Sequence, residues 1–450
     1  MVNIKPLKGL KYDISKIGDI SEVLAPPYDI ISNTQNEELK NLNIFNFSFL
    51  TLPKETDKKN RYENAGDILK KWIDEGILAF EKDECFYLIE VIFTEDASVK
   101  SFFGLVGLLK IEEYGKGKVL RHEKTLSKPM EDRLSLLKAC RTNFEFIYTL
   151  YDDGDKKVSG ILTKIAAGAP LIETHVKYDS SLKFKLWQIN SKIDMDSIRE
   201  LMEPKTVLIA DGHHRYETSR FYKENISRAD INDADSDNEN LDARPEEYIL
   251  SLLVAGNQDN ILIHPTHRLV NFEKFVSSDF FATKIKKYFT VESIEDISPE
   301  TIEKNLMTIP GTNQKKLVVC FSDKKCFILT LNNTLEKIYE DLGITINGFD
   351  KDFEYLDVNI LHKLILEIIF KEIEIMEIKY IHTISEAIDG LEVSASNDKD
   401  DKSYNVCFIL NAPSIETVEK LSVSGQIMPQ KSTYFYPKPC SGLIMYKMDI

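Results

Sequence analysis

The sequence predicts an α+β chain in which mixed sheets carry flanking helices. Short apolar runs of strand composition, such as CFYLIEVIF and KLVVCF, alternate with stretches of helical spacing along the whole chain. Hydrophobic residues make up 43% of the 450 residues and aromatics 10%, which is ordinary for a globular protein and enough for about two or three domains. No internal repeat interrupts this alternation, so a solenoid is excluded.

Taken in order, the chain opens with a loop-rich segment and LAPPYDII, where Pro26 and Pro27 hold Ala25 and Pro26 extended and present Tyr28 and Asp29 on a stiff turn. Ala65, Ile68, Leu69 and Trp72 stand at helical spacing and predict a helix over Tyr62–Glu75. CFYLIEVIF and FFGLVGLLKI read as strands around the polar EDASVKS, and the latter half of RHEKTLSKPMEDRLSLLKA reads as an amphipathic helix. FEFIYTLY, PLIETHV and FKLWQI follow as strands, then SIRELMEP as a short helix. VLIA at 207–210 is a buried strand running into Asp211-Gly212, an N-cap carboxylate and a residue tolerant of unusual backbone angles, and then into a helix.

The acidic stretch Ile226–Glu247 reads as a mobile surface insertion, YILSLLVAG as a helix and NILIHPTHRLV as a strand. From Asn271 helices such as FVSSDFFATKIKKYF and VNILHKLILEIIFKEI alternate with strands KLVVCF, CFILTL and YNVCFIL, and SNDKDDKSYN reads as a polar hairpin loop. The division expected is 1–270, an N-terminal and central catalytic region, and 271–450, a C-terminal α+β region carrying MPQKST.

Lys and Arg total 57 against 73 Asp and Glu, a formal charge of -16, which disfavours a nucleic-acid or anionic-membrane partner. With no export signal and no run of about eighteen apolar residues, a cytoplasmic location is expected. The six cysteines show no CxxC pair and read as reduced thiols, with Cys320 and Cys326 as strand filler in a hairpin.

Against the acidic background stand local basic islands. Asp211-Gly212-His213-His214-Arg215 crowds the first turn of a helix, where free N–H groups and the helix dipole favour an anion and Arg215 adds a planar fork. Arg121-His122-Glu123-Lys124-Thr125 with Asp132, Arg133 and Arg141 forms a second island. His264-Pro265-Thr266-His267-Arg268 and Lys431-Ser432-Thr433, then Lys438, form two more. Together they supply what phosphoryl transfer needs: cations around the moving group and a carboxylate to accept a proton. Glu123, flanked by His122 and Lys124, is the preferred general base and Asp29 the competitor. Asp211, Glu217 or Glu123 could supply a carboxylate to Mg²⁺, bridged through phosphate. His213 and Glu217 share a helix face, but adjacent imidazoles point about 100° apart and match no zinc spacing. No Walker loop, kinase glycine loop or GxGxxG is present, so a nucleotide donor has no recognisable cradle.

LAPPYDII, RHEKT with the following DR, IADGHHRYET, HPTHRLV and MPQKSTYFYPK, in that order, resemble the bacterial and archaeal family called domain of unknown function 1015 over nearly the whole chain. The DGHHR turn is also similar to the phosphate-binding motif of the ParB-like superfamily, which includes ADP-dependent free-serine kinases. The resemblance implies a ParB-like phosphate-binding core with additional α/β segments. It implies a pyrophosphate-dependent serine kinase, making O-phospho-L-serine and phosphate from L-serine and diphosphate with Mg²⁺. It places Asp211, Gly212, His213, His214 and Arg215 at the phosphates, with His122, Glu123, Lys124 and Thr125 close by and His267, Arg268, Lys431, Ser432 and Thr433 completing the contacts. Tyr28, Asp29, Arg133 and Arg141 are expected at the acceptor. The partners expected are these small molecules, with no nucleic acid and no membrane. A phosphoserine phosphatase-like hydrolase and a ParB-like nucleotide-binding switch are the competing readings.

Overall fold

The computed structural model describes residues 1–125, 127–225, 244–258, 260–306, 315–346, 348–395 and 404–449. It is α+β, with mixed and antiparallel sheets and helices against them. Two compact units are present: Met1–Leu262 together with Pro437–Ile450, and Ile263–Tyr436. A single cut after residue 270 leaves Pro437–Ile450 with the second half of the chain, whereas contacts group that segment with the first unit.

The first unit is built on a nine-stranded sheet. Its order runs Val119–Leu120, Val207–Asp211, Ile147–Tyr151, Tyr248–Ala255, Ser98–Lys110, Phe86–Glu95, Asp179–Ile189 and Ile172–Val176, with Ile4–Lys5 also paired to Ser98–Lys110. The two expected strands, Phe86–Glu95 and Ser98–Lys110, pair as a hairpin turned by Asp96 and Ala97 at φ 49° and 59°, the left-handed pair that a two-residue hairpin loop requires. The helix expected near Tyr62 spans Arg61–Asp74, and Asn60 closes its N-terminus in a capping box with Glu63. It buries Ala65, Leu69 and Trp72.

YILSLLVAG is a correction: Tyr248–Ala255 is a strand, not a helix, and all eight of its residues are buried. It runs parallel to Ile147–Tyr151 and antiparallel to Ser98–Lys110, in the middle of the sheet. A strand covered on both faces loses its polar alternation, and a short apolar run then looks the same as a buried helix. Each large aliphatic side chain buried there contributes about 1.5–3 kcal/mol.

The second unit holds a six-stranded antiparallel sheet in the order Phe289–Ile294, Cys326–Leu331, Lys316–Phe321, Val406–Ile409, His267–Phe272 and Ile375–Ile381. The expected hairpin is present at Lys316–Phe321 and Cys326–Leu331. Its cysteines depart from the reduced-thiol expectation, because Cys320 and Cys326 face each other across the ladder and are joined in a disulfide. Cross-strand partners already sit close enough to bond, a proximity that six-residue spacing alone does not reveal. The other four cysteines are free and buried. VNILHKLILEIIFKEI resolves into a short helix at Asp357–Asn359 and a π-helix at Ile360–Ile369.

SNDKDDKSYN lies between a helix, Ile384–Ala395, and a strand, Val406–Ile409. Residues 396–403 of it, and 226–243 of the acidic insertion, lie outside the described residues. No helix among the described residues is long and apolar enough to cross a membrane.

Candidate active site

The strand Val207–Asp211 pairs with Val119–Leu120 on one side and Ile147–Tyr151 on the other, and its register shifts between Ile209 and Asp211. That irregularity sets Asp211 opposite Tyr148 at the end of the ladder. Gly212 follows at φ 96°, where a Cβ would also lie 3.2 Å from Arg215 Nη2. Glycine is therefore required there both for backbone angle and for the approach of a guanidinium. The helix His213–Asn225 starts next, and Gly212 O accepts from Tyr216 N at 2.9 Å. Gly212 thus occupies the cap position expected of Asp211, whose carboxylate faces cations instead.

Arg215 Nη2 donates to Asp211 Oδ2 at 2.6 Å, and Lys438 Nζ lies 2.7 Å from Asp211 Oδ1 and 2.8 Å from Asp29 Oδ2. The Lys438 side chain is only 5% exposed. Burial alone would lower its pKa, but Asp211 and Asp29 outweigh burial and hold it above the ordinary lysine value. Arg215 is raised in the same way, burial opposing and Glu145, Asp211 and Asp29 prevailing. Pro27 is extended and leads into a 3-10 turn at Tyr28–Ile30, as the double proline predicts, which delivers Asp29 to Lys438.

Glu145 closes the other side. Its Oε1 accepts from Tyr28 N and from Ser441 Oγ, both at 2.9 Å, and its Oε2 lies 3.4 Å from Arg215 Nη1. Arg133 stacks its guanidinium 3.9 Å from the Tyr28 ring centroid, binds Asp132 and donates to Thr51 O at 3.0 Å. Arg141 goes elsewhere: it pairs with Asp449 at 3.7 Å, and the residue takes a left-handed φ of 47°.

The RHEKT stretch meets the turn through two imidazoles. His122, fully buried, donates from Nδ1 to Ile209 O at 2.8 Å, and its ring stands edge-on to His213 at 4.6 Å. His122 N points to His213 Nε2 at 3.5 Å. Burial and then His122 push the His213 pKa down to about 3, so this ring is neutral at pH 7 and an acceptor at Nε2. Glu123 lies 3.7 Å from His122 Nε2, Lys124 is exposed, and Thr125 and His214 are half-buried.

Glu217 is held by Arg121 at 3.4 Å and Arg220 at 2.9 Å. Asp211 and Glu217 are therefore each matched by cations already, and no group of three or more metal-binding side chains occurs among the described residues. The pair does not fit a resident Mg²⁺ cage.

In the second unit the HPTHR turn and the KST loop come together. Arg268 is 1% exposed and donates from Nη1 to Thr266 O and from Nη2 to Lys431 O at 2.8 Å. His267 Nδ1 accepts from Leu410 N at 3.3 Å, and burial, then Arg268 and His382, lower its pKa to about 3. Ser432 Oγ donates to Pro429 O at 2.6 Å, Lys431 is exposed with φ 55°, and Thr433 is half-buried.

Sequence reasoning missed Glu145, and it grouped Lys438 with the Lys431–Thr433 island rather than with Asp29 and Asp211. The signal for Glu145 was a single carboxylate inside the apolar run FEFIYTLY, since a buried acid must be paired.

No curated protein sequence matches the chain. Similar solved structures include a free serine kinase in complex with AMP, at 12% identity, covering 71% of this chain and 83% of that one with a TM-score of 0.32. A conserved hypothetical protein from Pyrococcus furiosus is similar at 14% identity, with 74% and 93% covered and a TM-score of 0.33. SbnI with a C-terminal truncation from Staphylococcus aureus is similar at 10%, with 74% and 84% covered and a TM-score of 0.32. Residues 4–358, the greater part of the chain, match the family described as "Protein of unknown function (DUF1015)", and to that family this chain belongs.

Proposed function

We propose that this protein is a diphosphate-dependent serine kinase, an alcohol-group phosphotransferase. The observation that carries the reading is the convergence of two cations, buried Lys438 and half-buried Arg215, on Asp211 where a strand passes into a helix N-terminus. Held in place by Asp29, Asp211 and Glu145, these two donors are preorganised, and phosphoryl oxygens that enter by sharing them would have their developing charge met by donors already in position. In the reaction, the serine Oγ forms a bond to phosphorus while the bridging P–O bond of diphosphate breaks. The Oγ proton passes to a carboxylate, and phosphate leaves carrying the bridging oxygen.

Glu123 and Asp29 are the two candidates for that carboxylate. Asp29 is bound to Lys438, and Glu123 sits against His122. Gly212, His213, His214, His122, Lys124 and Thr125 are proposed as donor contacts in the first unit, with His267, Arg268, Lys431, Ser432 and Thr433 as phosphate contacts in the second. Mg²⁺ accompanies the diphosphate.

The test is a donor-by-acceptor screen with Mg²⁺, pairing diphosphate, ATP and ADP with small hydroxyl compounds and reading products by mass spectrometry. Phosphoserine made from diphosphate is the expected result. Serine released from phosphoserine whether or not phosphate is added would replace the kinase with a hydrolase, and tight nucleotide binding with no transfer would replace it with a switch.

A further inference from the structure

A cavity of about 50 Å³ lies in the first unit between Arg133, Glu145 and Arg215, with Thr51 and Ser219 in its wall and Leu136 on its apolar side. We infer that this cavity is the acceptor subsite and takes a small α-amino acid of about three carbons, its carboxylate toward the guanidinium groups and its ammonium toward Glu145. The inference rests on the phosphotransferase reading and names where its acceptor sits.

Size is the first argument. One water needs about 10–15 Å³ of such space, so the cavity has room for roughly four waters, or one molecule of a few heavy atoms. Charge is the second. A plain anion would meet Glu145 and a plain cation would meet two guanidinium groups, whereas a zwitterion satisfies both signs at once.

Thr51 is the third and independent argument. It is 0% exposed, it lines the cavity, and its Oγ1 has no hydrogen-bond partner. A buried hydroxyl with nothing to bond is costly, and a ligand in the cavity would satisfy it. Finally, one guanidinium links the cavity to the charged turn. Arg215 lies 3.4 Å from Glu145 through Nη1 and 2.6 Å from Asp211 through Nη2, so an acceptor beside Glu145 has its near end at the phosphate turn.

The test uses the full chain and two near-isosteric variants, Thr51→Val and Glu145→Gln. Binding of L-serine is read by calorimetry, and KM for L-serine and for diphosphate by steady-state turnover. Thr51→Val should leave the melting temperature unchanged or raised, because the unsatisfied hydroxyl is gone, while weakening L-serine at least fivefold and leaving the KM for diphosphate within twofold. Glu145→Gln should weaken L-serine about tenfold and should not weaken 3-hydroxypropanoate, which has no ammonium and loses the repulsion of Glu145.

Serine KM within twofold of wild type in both variants overturns the subsite, and their continued production of phosphoserine leaves the kinase reading standing. Wild-type protein that binds L-serine through Thr51 but transfers nothing to it supports the subsite and ends the kinase reading. Absence of binding to any small amino acid, with and without diphosphate, overturns the subsite.

Discussion

Both units bury a cation, and they compensate it by different means. In the first, Lys438 and Arg215 are matched by the carboxylates of Asp29, Asp211 and Glu145. In the second, the terminal nitrogens of Arg268 donate to two main-chain carbonyls. Full charges cancel at short range, but carbonyl dipoles leave more of the field in place. That field is felt at His267 and His362, whose pKa values fall to about 3 and about 4 through burial first and Arg268 among the further causes. The first cluster is thus an ion-pair network that a ligand must enter by sharing partners, whereas the second sets its guanidinium on main-chain carbonyls beside two neutral imidazoles.

The largest effect expected from this contrast is at Lys438. Lys438→Met leaves Asp29 and Asp211 without their shared buried cation and should cost about 3–5 kcal/mol in urea unfolding, the usual penalty for breaking one side of a buried ion pair. Adding Asp29→Asn should return part of the loss. Arg268→Met removes charge–dipole hydrogen bonds and should cost about 2–3 kcal/mol, with the His362 pKa rising toward 6.5 in an NMR titration. A larger loss at Arg268 than at Lys438 would break the comparison.

The same contrast explains what could be read from the chain alone. Asp211 to Arg215 was legible because strand, glycine and helix are consecutive, so the chemistry follows from local rules. Asp29 was flagged by its two prolines, which fix a turn without help from the fold. Its tie to Lys438 was not legible, since the two are 409 residues apart and only the return of Pro437–Ile450 to the first unit joins them. Tyr248–Ala255 misled for a related reason: burial on both faces erased the period that separates strand from helix. Long-range pairing is the part of a fold that composition and spacing carry least.

An intermediate effect is expected in acid, where the two units should behave alike for different reasons. His213 and His267 both sit near pKa 3 in the fold, against about 6.5 in an unfolded chain. Their folded values are depressed, so their contribution to stability is whole above pH 6.5 and is lost as pH falls toward 3, when the unfolded chain takes up protons that the fold refuses. Each histidine should add a slope of about 1.4 kcal/mol per pH unit across that window. His213→Gln and His267→Gln should each flatten the curve of unfolding free energy against pH by that amount. A wild-type slope at either site would mean that its ring is protonated in the folded protein.

The smallest effect is expected at Arg141, which sequence reasoning grouped with Arg133 at the acceptor. Its side chain is 42% exposed and pairs with Asp449, itself 49% exposed, at 3.7 Å. Exposed pairs of this kind contribute about 0–1 kcal/mol because solvent screens them and ordering two side chains offsets the attraction. Arg141→Ala should therefore shift the urea midpoint barely at all and leave the serine KM within twofold, whereas Arg133→Ala should disturb both, since that guanidinium lines the cavity and stacks on Tyr28. A serine KM that rises as much for Arg141→Ala as for Arg133→Ala would move the acceptor toward the Arg141 side and away from the buried network around Glu145.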